Sequence, residues 1–227
     1  MSRRDRLRAK RQPLDRERIL HAAVELAERQ GLEALSMRTL GSQLGVEAMS
    51  LYHHVESKQA LLDGVVETVV ASMDVSGMHG EGPWEARLKE GFRAYLRLAR
   101  EYPAVFPLVG RRPVRTLAAL EPVDVALGVL MAAGFPPRTA LYAFRTLSSF
   151  AYGYALSEIR GFAMESASAG GAPRRDVEGD AERFPNLAEV LPLAGATEHD
   201  VEFEEGLDVI IAGLKKMHGL PGGLGNA

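Results

Sequence analysis

The chain has 227 residues, of which 46% are hydrophobic and 25% charged, a composition typical of a globular protein with room for a small module and a larger domain. It contains no cysteine, which excludes disulfide frameworks and thiolate metal sites. Its longest apolar stretch, residues 125–135, is too short to span a membrane, and its N-terminus lacks the apolar core of a signal peptide, so we expect a cytoplasmic protein without membrane contact.

Charge is distributed unevenly along the chain, whose net charge is −3. The first 62 residues hold 11 Lys and Arg against 8 Asp and Glu, a net +3, and the remainder holds 16 against 22, a net −6. A basic N-terminal region followed by an acidic remainder is typical of a protein whose N-terminal region binds the phosphates of nucleic acid.

The N-terminal part begins with a basic arm, residues 1–14, which is almost free of apolar side chains and is expected to be disordered in isolation. Asp15 can cap a first helix, because apolar residues recur at helical spacing from Ile19 to Leu26. Gly31 is expected to end that helix.

Two short helices are predicted next. Ser36 begins one of them, Gly45 breaks it, and another begins at about Glu47 with the sequence AMSLYHH. Two brief helices joined by a turn that contains glycine are typical of a helix-turn-helix. Ser57 then caps a longer fourth helix that ends near Gly77.

We therefore expect a DNA-binding domain with its linker helix at residues 15–76 and a larger helical domain at 77–220, followed by a tail at 221–227. A glycine-rich joint opens the larger domain at 77–83, and a helix starts at Trp84. Composition predicts a mobile loop at 166–180. Because no strand-like alternation occurs, the predicted fold class is all-α. Further helices are predicted at about 103–110, 116–133, 137–160 and 199–218.

The segments 137–160 and 199–218 carry apolar or small residues on broad faces. A helix that is apolar nearly all round is buried on two sides. Two such helices can pair with their symmetry mates as a four-helix interface, which predicts a homodimer. The alternative is a monomer in which the same helices form the central core.

Residues 15–66 resemble the DNA-binding domain of the tetracycline-repressor (TetR) family. The resemblance includes the pattern of the first helix, the turn at Gly31, and the segments LSMRTLGSQLGV, SLYHHV and SKQALLDGV. More loosely, the tetracycline-class C-terminal domain is similar to PWEARLKEGFRAYLRLAREYP, GRRP, AAGFPPRTALYAF and EEGLDVIIAGLKKM. The resemblance implies a three-helix DNA-binding domain joined by a fourth helix to a ligand-binding and dimerisation domain. It implies a homodimeric repressor that binds a double-stranded, palindromic operator and is released by a small-molecule effector.

The DNA-contacting residues are expected on the two short helices. A recognition helix needs small or polar residues toward the groove, apolar residues behind it and phosphate donors at its ends. Val46 and Leu51 supply the apolar anchors. By resemblance to the family, Arg38 and Thr39 occupy positions for base-edge and phosphate contacts, and an alanine at position 48 makes the operator differ from that of known tetracycline repressors. The predicted DNA contacts are Arg38, Thr39, Ala48, Met49, Ser50, Tyr52, His53, His54 and Lys58.

The effector is expected to be small and largely apolar. In tetracycline repressors a histidine just before the equivalent of GRRP holds the magnesium of the drug, but this chain has Phe106, Pro107, Leu108 and Val109 there. An asparagine partner would fall near Gly91, which has no side chain. Magnesium-tetracycline is therefore not the expected inducer. The predicted pocket is lined by Phe92, Tyr95, Phe106, Leu108, Met131, Phe135, Phe144 and Tyr152, with Ser148 and Arg112 as polar groups.

Two other functions compete with this interpretation. An enzyme is disfavoured, because the HxE at His54–Glu56 lacks the cysteines that a zinc deaminase needs, and no nucleophile elbow, phosphate loop or HExxH occurs. We expect neither a metal nor a cofactor. A regulator of the same fold that activates transcription, or that senses a protein partner, fits the same sequence.

Overall fold

The computed structural model describes residues 13–162, 182–190, 192–193 and 198–218. Within these ranges every regular element is helical. The predictions for the arm up to residue 12, for the loop at 166–180 and for the tail at 221–227 lie outside the described residues. The helices are α1 (Arg16–Gln30), α2 (Met37–Leu44), α3 (Ala48–Tyr52), α4 (Lys58–Ala71), α5 (Ser76–His79), α6 (Trp84–Glu101), α7 (Leu117–Ala132), α8 (Pro137–Arg160), α9 (Pro185–Val190) and α10 (His199–His218).

A first compact unit contains α1 to α4 and also the segment Tyr102–Leu120. Its core is built from fully buried aliphatic side chains of all four helices, including Ile19, Leu40, Leu51 and Leu61. Each such side chain contributes about 1.5–3 kcal/mol by leaving water. Because the four helices are short, this shared burial rather than helix propensity stabilises them.

The segment Tyr102–Leu120 lies within the larger domain in sequence but belongs to the first unit in space. Val105 and Phe106 are completely buried there. The helix predicted at about 103–110 is wrong, because only Phe106–Leu108 form one short 3-10 turn. Pro107 explains the difference, since it lies beyond the first turn of the predicted helix and has no backbone N–H to donate to a helical hydrogen bond.

A second compact unit runs from Met73 to Glu101 and resumes at Glu121. In it α6 packs against α8, and α8 packs against α10. The ring of Phe150 on α8 packs against Gly206 of α10, where a Cβ would lie 2.3 Å from the phenyl Cζ. One face of α8 is completely buried and made of Ala140, Ala143, Leu147, Ala151 and Ala155.

The long predicted helices agree with the structure. The helices expected at 137–160 and 199–218 are α8 and α10 with the same bounds, and the one expected at 116–133 is α7. The short helix α5 lies partly in the predicted glycine-rich joint, and α9 was not predicted. No helix in the described ranges combines the length and apolar character that a membrane crossing needs.

Candidate functional site

The two short helices α2 and α3 are joined by a tight turn. Gly45 adopts φ 69° and ψ 34°, the left-handed conformation that glycine tolerates best, and ends α2. At the other end of α2, Ser36 Oγ accepts the amide of Thr39 at 3.1 Å, and the Ser36 amide donates to Thr39 Oγ1 at 3.0 Å. This capping box fixes where α2 begins.

Most of the predicted DNA contacts lie on the surface of the first unit. Met49 is 69% exposed and Tyr52 is 43% exposed. Behind them Leu51 is completely buried, whereas Val46, the second predicted anchor, is half-buried. The fully exposed members of the predicted set are Arg38, Met49, Tyr52, His53, His54 and Lys58, and the half-buried members are Thr39, Ala48 and Ser50.

Thr39 already has a structural role. Besides its part in the capping box, its hydroxyl donates to the Ala34 carbonyl at 2.7 Å. Its amide is bonded to Ser36 Oγ. The phosphate contact assigned to Thr39 stays a prediction, and it requires a hydroxyl that also serves the helix cap.

Gly41 of α2 is a residue that the sequence analysis did not single out. A Cβ there would lie 2.9 Å from the Val46 carbonyl oxygen and 3.2 Å from the Ala48 amide nitrogen. Both neighbours are backbone atoms, so they cannot move aside as a flexible side chain can. Gly41 therefore sets how closely α2 approaches the start of α3.

Seven of the ten predicted effector contacts belong to the second unit. Phe144, Ser148 and Tyr152 follow one another at four-residue spacing on α8, and all are half-buried. Burial raises the pKa of the Tyr95 phenol on α6 above its usual value of 10, and the neighbouring Tyr152 is a smaller cause in the same direction. Phe92 is buried and Met131 is 45% exposed.

The other three predicted effector contacts, Phe106, Leu108 and Arg112, belong to the first unit. Phe106 is fully buried in that unit. Arg112 is already paired, with Nη1 2.6 Å from Asp63 and Nη2 2.9 Å from Gln59, both on α4. Their contact with an effector stays a prediction.

Phe135, another of the predicted walls in the second unit, is 2% exposed and lies edge-on to Trp84 with the ring centroids 5.4 Å apart. It therefore serves at least as part of the aromatic core of the second unit.

A surface groove of about 790 Å³ occurs on the first unit, along α1 and the end of α2. Asp15, Glu17 and Glu25 give it a polar, largely acidic lining, beside Arg18 and His21. Its lining differs from the predicted effector pocket, which is aromatic. In the part of the chain that the structure describes, no three His, Asp or Glu side chains come together as a metal ion would need.

Comparison with known proteins matches most of the chain to two family models. Residues 19–65 match the family model "Bacterial regulatory proteins, tetR family", and residues 76–218 match "Tetracyclin repressor-like, C-terminal domain". The tetracycline repressor protein class C of Escherichia coli is 31% identical over 219 residues, covering 90% of this chain and 92% of that repressor. The transcriptional repressor DrrR1 of Streptomyces coeruleorubidus is 30% identical over 143 residues, and the match spans about half, 53%, of its length.

Solved structures agree with the sequence matches. The TetR family protein ActR of Streptomyces coelicolor, in complex with actinorhodin, superposes with a TM-score of 0.76 at 27% identity, covering 93% of this chain and 99% of that one. Since the C-terminal family model alone covers more than half of the 227 residues, the chain belongs to the tetR family of bacterial regulatory proteins, with a helix-turn-helix DNA-binding domain followed by a tetracyclin repressor-like C-terminal domain.

Proposed function

We propose that this protein is a cytoplasmic, ligand-released transcriptional repressor that binds a palindromic operator as a homodimer. The observation that carries DNA binding is the exposed set Arg38, Met49, Tyr52, His53, His54 and Lys58 on a rigid, buried scaffold. An exposed arginine can read a guanine with two hydrogen bonds, and an exposed methionine can contact a thymine methyl group. The net +3 of the first 62 residues favours the same surface for phosphate.

Selection of bound fragments from the source genome, followed by fluorescence anisotropy on the selected duplex, tests DNA binding. Arg38→Ala is expected to weaken operator binding by about 5- to 150-fold, the value of one good bidentate base contact. Arg97→Ala on α6, an exposed arginine of the second unit, is the matched control and should leave the affinity unchanged. Equal affinities for Arg38→Ala and the unmodified protein would assign the base contact elsewhere.

The homodimer is supported by apolar side chains that a single chain leaves uncovered on α8 and α10. Tyr142 is 51% exposed on α8, and Val209 and Met217 are 72% and 79% exposed on α10. The exposed face of each helix lies beside a buried face that serves the core of the chain itself. Two such faces from each chain form a four-helix interface, which places two recognition helices on one operator.

For the effector we propose a polycyclic aromatic compound that carries phenol or quinone oxygens. Phe92, Phe144, Tyr95 and Tyr152 offer aromatic surface with two phenol groups, and ActR, of the same fold, is solved with actinorhodin. Magnesium-tetracycline is disfavoured, since a Cβ at Gly91 would meet the Met78 sulfur at 2.3 Å, so the place of the asparagine partner is filled.

Release is proposed to follow from a small rotation of α4 that misaligns the two recognition helices, as the resemblance implies. The effector then has only to bind better to the misaligned state. Actinorhodin and magnesium-tetracycline are the two probes. Actinorhodin is expected to dissociate the protein from its selected duplex, and dissociation by magnesium-tetracycline alone would contradict the proposed effector class.

Self-regulation is a further part of the proposal. A mobility shift with the palindromic region upstream of the chain's own reading frame is expected to show binding. Absence of a shift across that region would count against self-regulation and leave repression of other genes to be tested by the genomic selection.

A further inference from the structure

A buried carboxylate joins three parts of the first unit. Among the residues that the structure describes, Glu67 of α4 is the one buried charged residue, 8% exposed. Its Oε1 accepts the backbone amides of Arg115 at 2.8 Å and Thr116 at 3.1 Å, directly before α7. Its Oε2 lies 3.9 Å from Arg16, the first residue of α1. A carboxylate removed from water is retained only where such partners replace its hydration.

The same face of α4 holds a second attachment. Gln59, Asp63 and Glu67 follow one another at four-residue spacing, so their side chains lie on one face of the helix. The first two accept the guanidinium of Arg112 at 2.9 and 2.6 Å.

A third attachment starts from α1. Oε2 of Glu28 accepts the amide of Ala104 at 3.0 Å, and its Oε1 accepts that of Val105 at 2.9 Å. The stretch 102–116 is thus held near both ends by carboxylates of two different helices. Glu28 and Glu67 bond to backbone amides, so they fix the path of the chain whatever side chains the stretch carries.

We propose that Glu28 and Glu67 are positioning residues that fasten the segment 102–116 to α1 and α4, so that this segment changes its state together with the recognition helix. The inference rests on the proposed function, because it takes α2 and α3 as the DNA-binding surface. It extends that function because Glu28 attaches the segment 102–116 to α1, in addition to its attachment to α4. Equilibrium coupling is reciprocal. If operator binding changes the state of this segment, an effector that moves the segment also changes the affinity for the operator.

Amide hydrogen exchange on the full chain, with and without a selected operator duplex, tests the proposal. In the unmodified protein the operator is expected to slow exchange at the amides of residues 104, 105, 115 and 116 as much as in the core of α4. Glu67→Met removes the acceptor at similar volume. It should speed exchange at 115 and 116 by about tenfold or more, the effect of losing a charged hydrogen bond, and abolish the operator response there.

Glu28→Met is expected to speed amide exchange at residues 104 and 105, to abolish the operator response there, and to leave the amides of 115 and 116 protected. Glu158→Gln is the matched control, a carboxylate of the second unit with a half-buried side chain bonded to Arg100 at 2.7 Å, and should change neither pair. Should Glu67→Met not fold, Glu67→Gln, which keeps an acceptor but loses the charge, is expected to give a smaller change at the same amides.

Three outcomes overturn the proposal: an operator response in α4 without one at the four amides, an unchanged response in Glu67→Met, or unchanged amide exchange in both variants. A merely structural role would speed exchange equally with and without the duplex and leave the response intact. If no duplex binds the unmodified protein, the proposed function fails. The attachment of the segment 102–116 by Glu28 and Glu67 is then tested by the exchange rates of the four amides in the variants alone.

Discussion

Single residues determine how the DNA-binding surface is held in place. Met49 and Tyr52 are exposed on α3, while Leu51 between them is buried and anchors the helix. Gly41 lets the preceding helix approach the start of α3. The contact at Gly41 is between backbones, which leaves no side chain to relax. Substitution at this glycine is therefore expected to act on the surface through packing and not through a lost DNA contact.

Gly41→Ala is expected to destabilise the protein by about 1–3 kcal/mol, the usual cost of adding a methyl group to a filled space. It should also weaken operator binding, because α3 must move away from α2. The measurement is urea unfolding together with operator anisotropy. Gly128→Ala on α7 is the control, since a Cβ there meets nothing within 4 Å and should stabilise the helix by about 0.5–1 kcal/mol. Equal effects of the two substitutions would contradict the close approach at Gly41.

Glu204 of α10 makes the stability of the second unit depend on pH. Its hydrogen bonds to Arg93 hold its pKa below the usual 4.5, against the opposing effect of partial burial; the bond to Arg93 Nη2 is 2.7 Å long. A carboxyl group whose pKa is lowered on folding contributes stability that is complete above its unfolded pKa and is lost as the pH falls through its folded pKa.

Glu204→Gln is accordingly expected to lower the urea midpoint at about pH 6 and to make the midpoint fall less on acidification to about pH 3. Urea unfolding across that range measures both effects. Glu33→Gln, at an exposed carboxylate of the first unit, is the control and should follow the unmodified protein. A Glu204→Gln curve parallel to that of the unmodified protein would show that the ion pair adds nothing to the acid response.

Among the elements, α2 depends most on its first turn, because it has only eight residues. Its capping box satisfies the Thr39 and Ser36 amides, and Arg38 stands two residues after the cap. Short helices are marginal without tertiary or capping support. The cap therefore bears on both stability and the placement of Arg38.

Ser36→Ala is expected to cost about 1 kcal/mol, the typical loss on removing an N-cap side chain, and to weaken operator binding by less than Arg38→Ala does. Ser36→Asp, which keeps an acceptor at the cap, is the matched control and should retain most of the stability. Unfolding midpoints and operator anisotropy give the two readouts. A destabilised Ser36→Asp would mean that the hydroxyl is needed for more than the cap.

The elements also show which features a sequence reveals. Asp15 and Ser57 were predicted as helix caps and Ser36 as the start of a helix, and each of the three accepts a backbone amide in the structure. A cap side chain bonds to an amide within three residues, so a cap can be recognised from a short stretch of sequence. The segment 103–110 was not predicted correctly, because its apolar residues are buried by contact with the first unit and not by helix formation.

Functional residues also divide into those that a local sequence pattern reveals and those that depend on distant partners. The exposure of Arg38, Met49 and Tyr52 agrees with a prediction that rested on the recognition-helix pattern and, for Arg38, on the family resemblance, and their contact with DNA stays a prediction. The roles of Gly41 and Glu67 were not predicted, because each depends on a partner that no local pattern encodes; the partners of Glu67 are 48 and 49 residues away in the chain. A single sequence carries no record of such pairings.

At the scale of the whole molecule, the proposed operator binding depends on a second copy of the chain. One recognition helix of five residues offers few base contacts, whereas a two-fold pair doubles them and fixes the spacing of the half-sites. The exposed apolar side chains of α10 are available for this pairing, and in a two-fold interface each substitution is present twice.

Val209→Glu is therefore expected to raise the dimer dissociation constant at least about tenfold, because in the proposed dimer two unpaired carboxylates would be buried in place of two apolar side chains, each 72% exposed in the single chain. Light scattering measures the mass, and anisotropy should show operator affinity falling in parallel while the unfolding midpoint of the monomer stays unchanged. Val209→Ala, which shortens the side chain without adding charge, is the control and should remain a dimer. A monomeric unmodified protein that binds the duplex at low salt would contradict the proposed dimer. A dimeric Val209→Glu with full affinity would place the interface away from this face of α10.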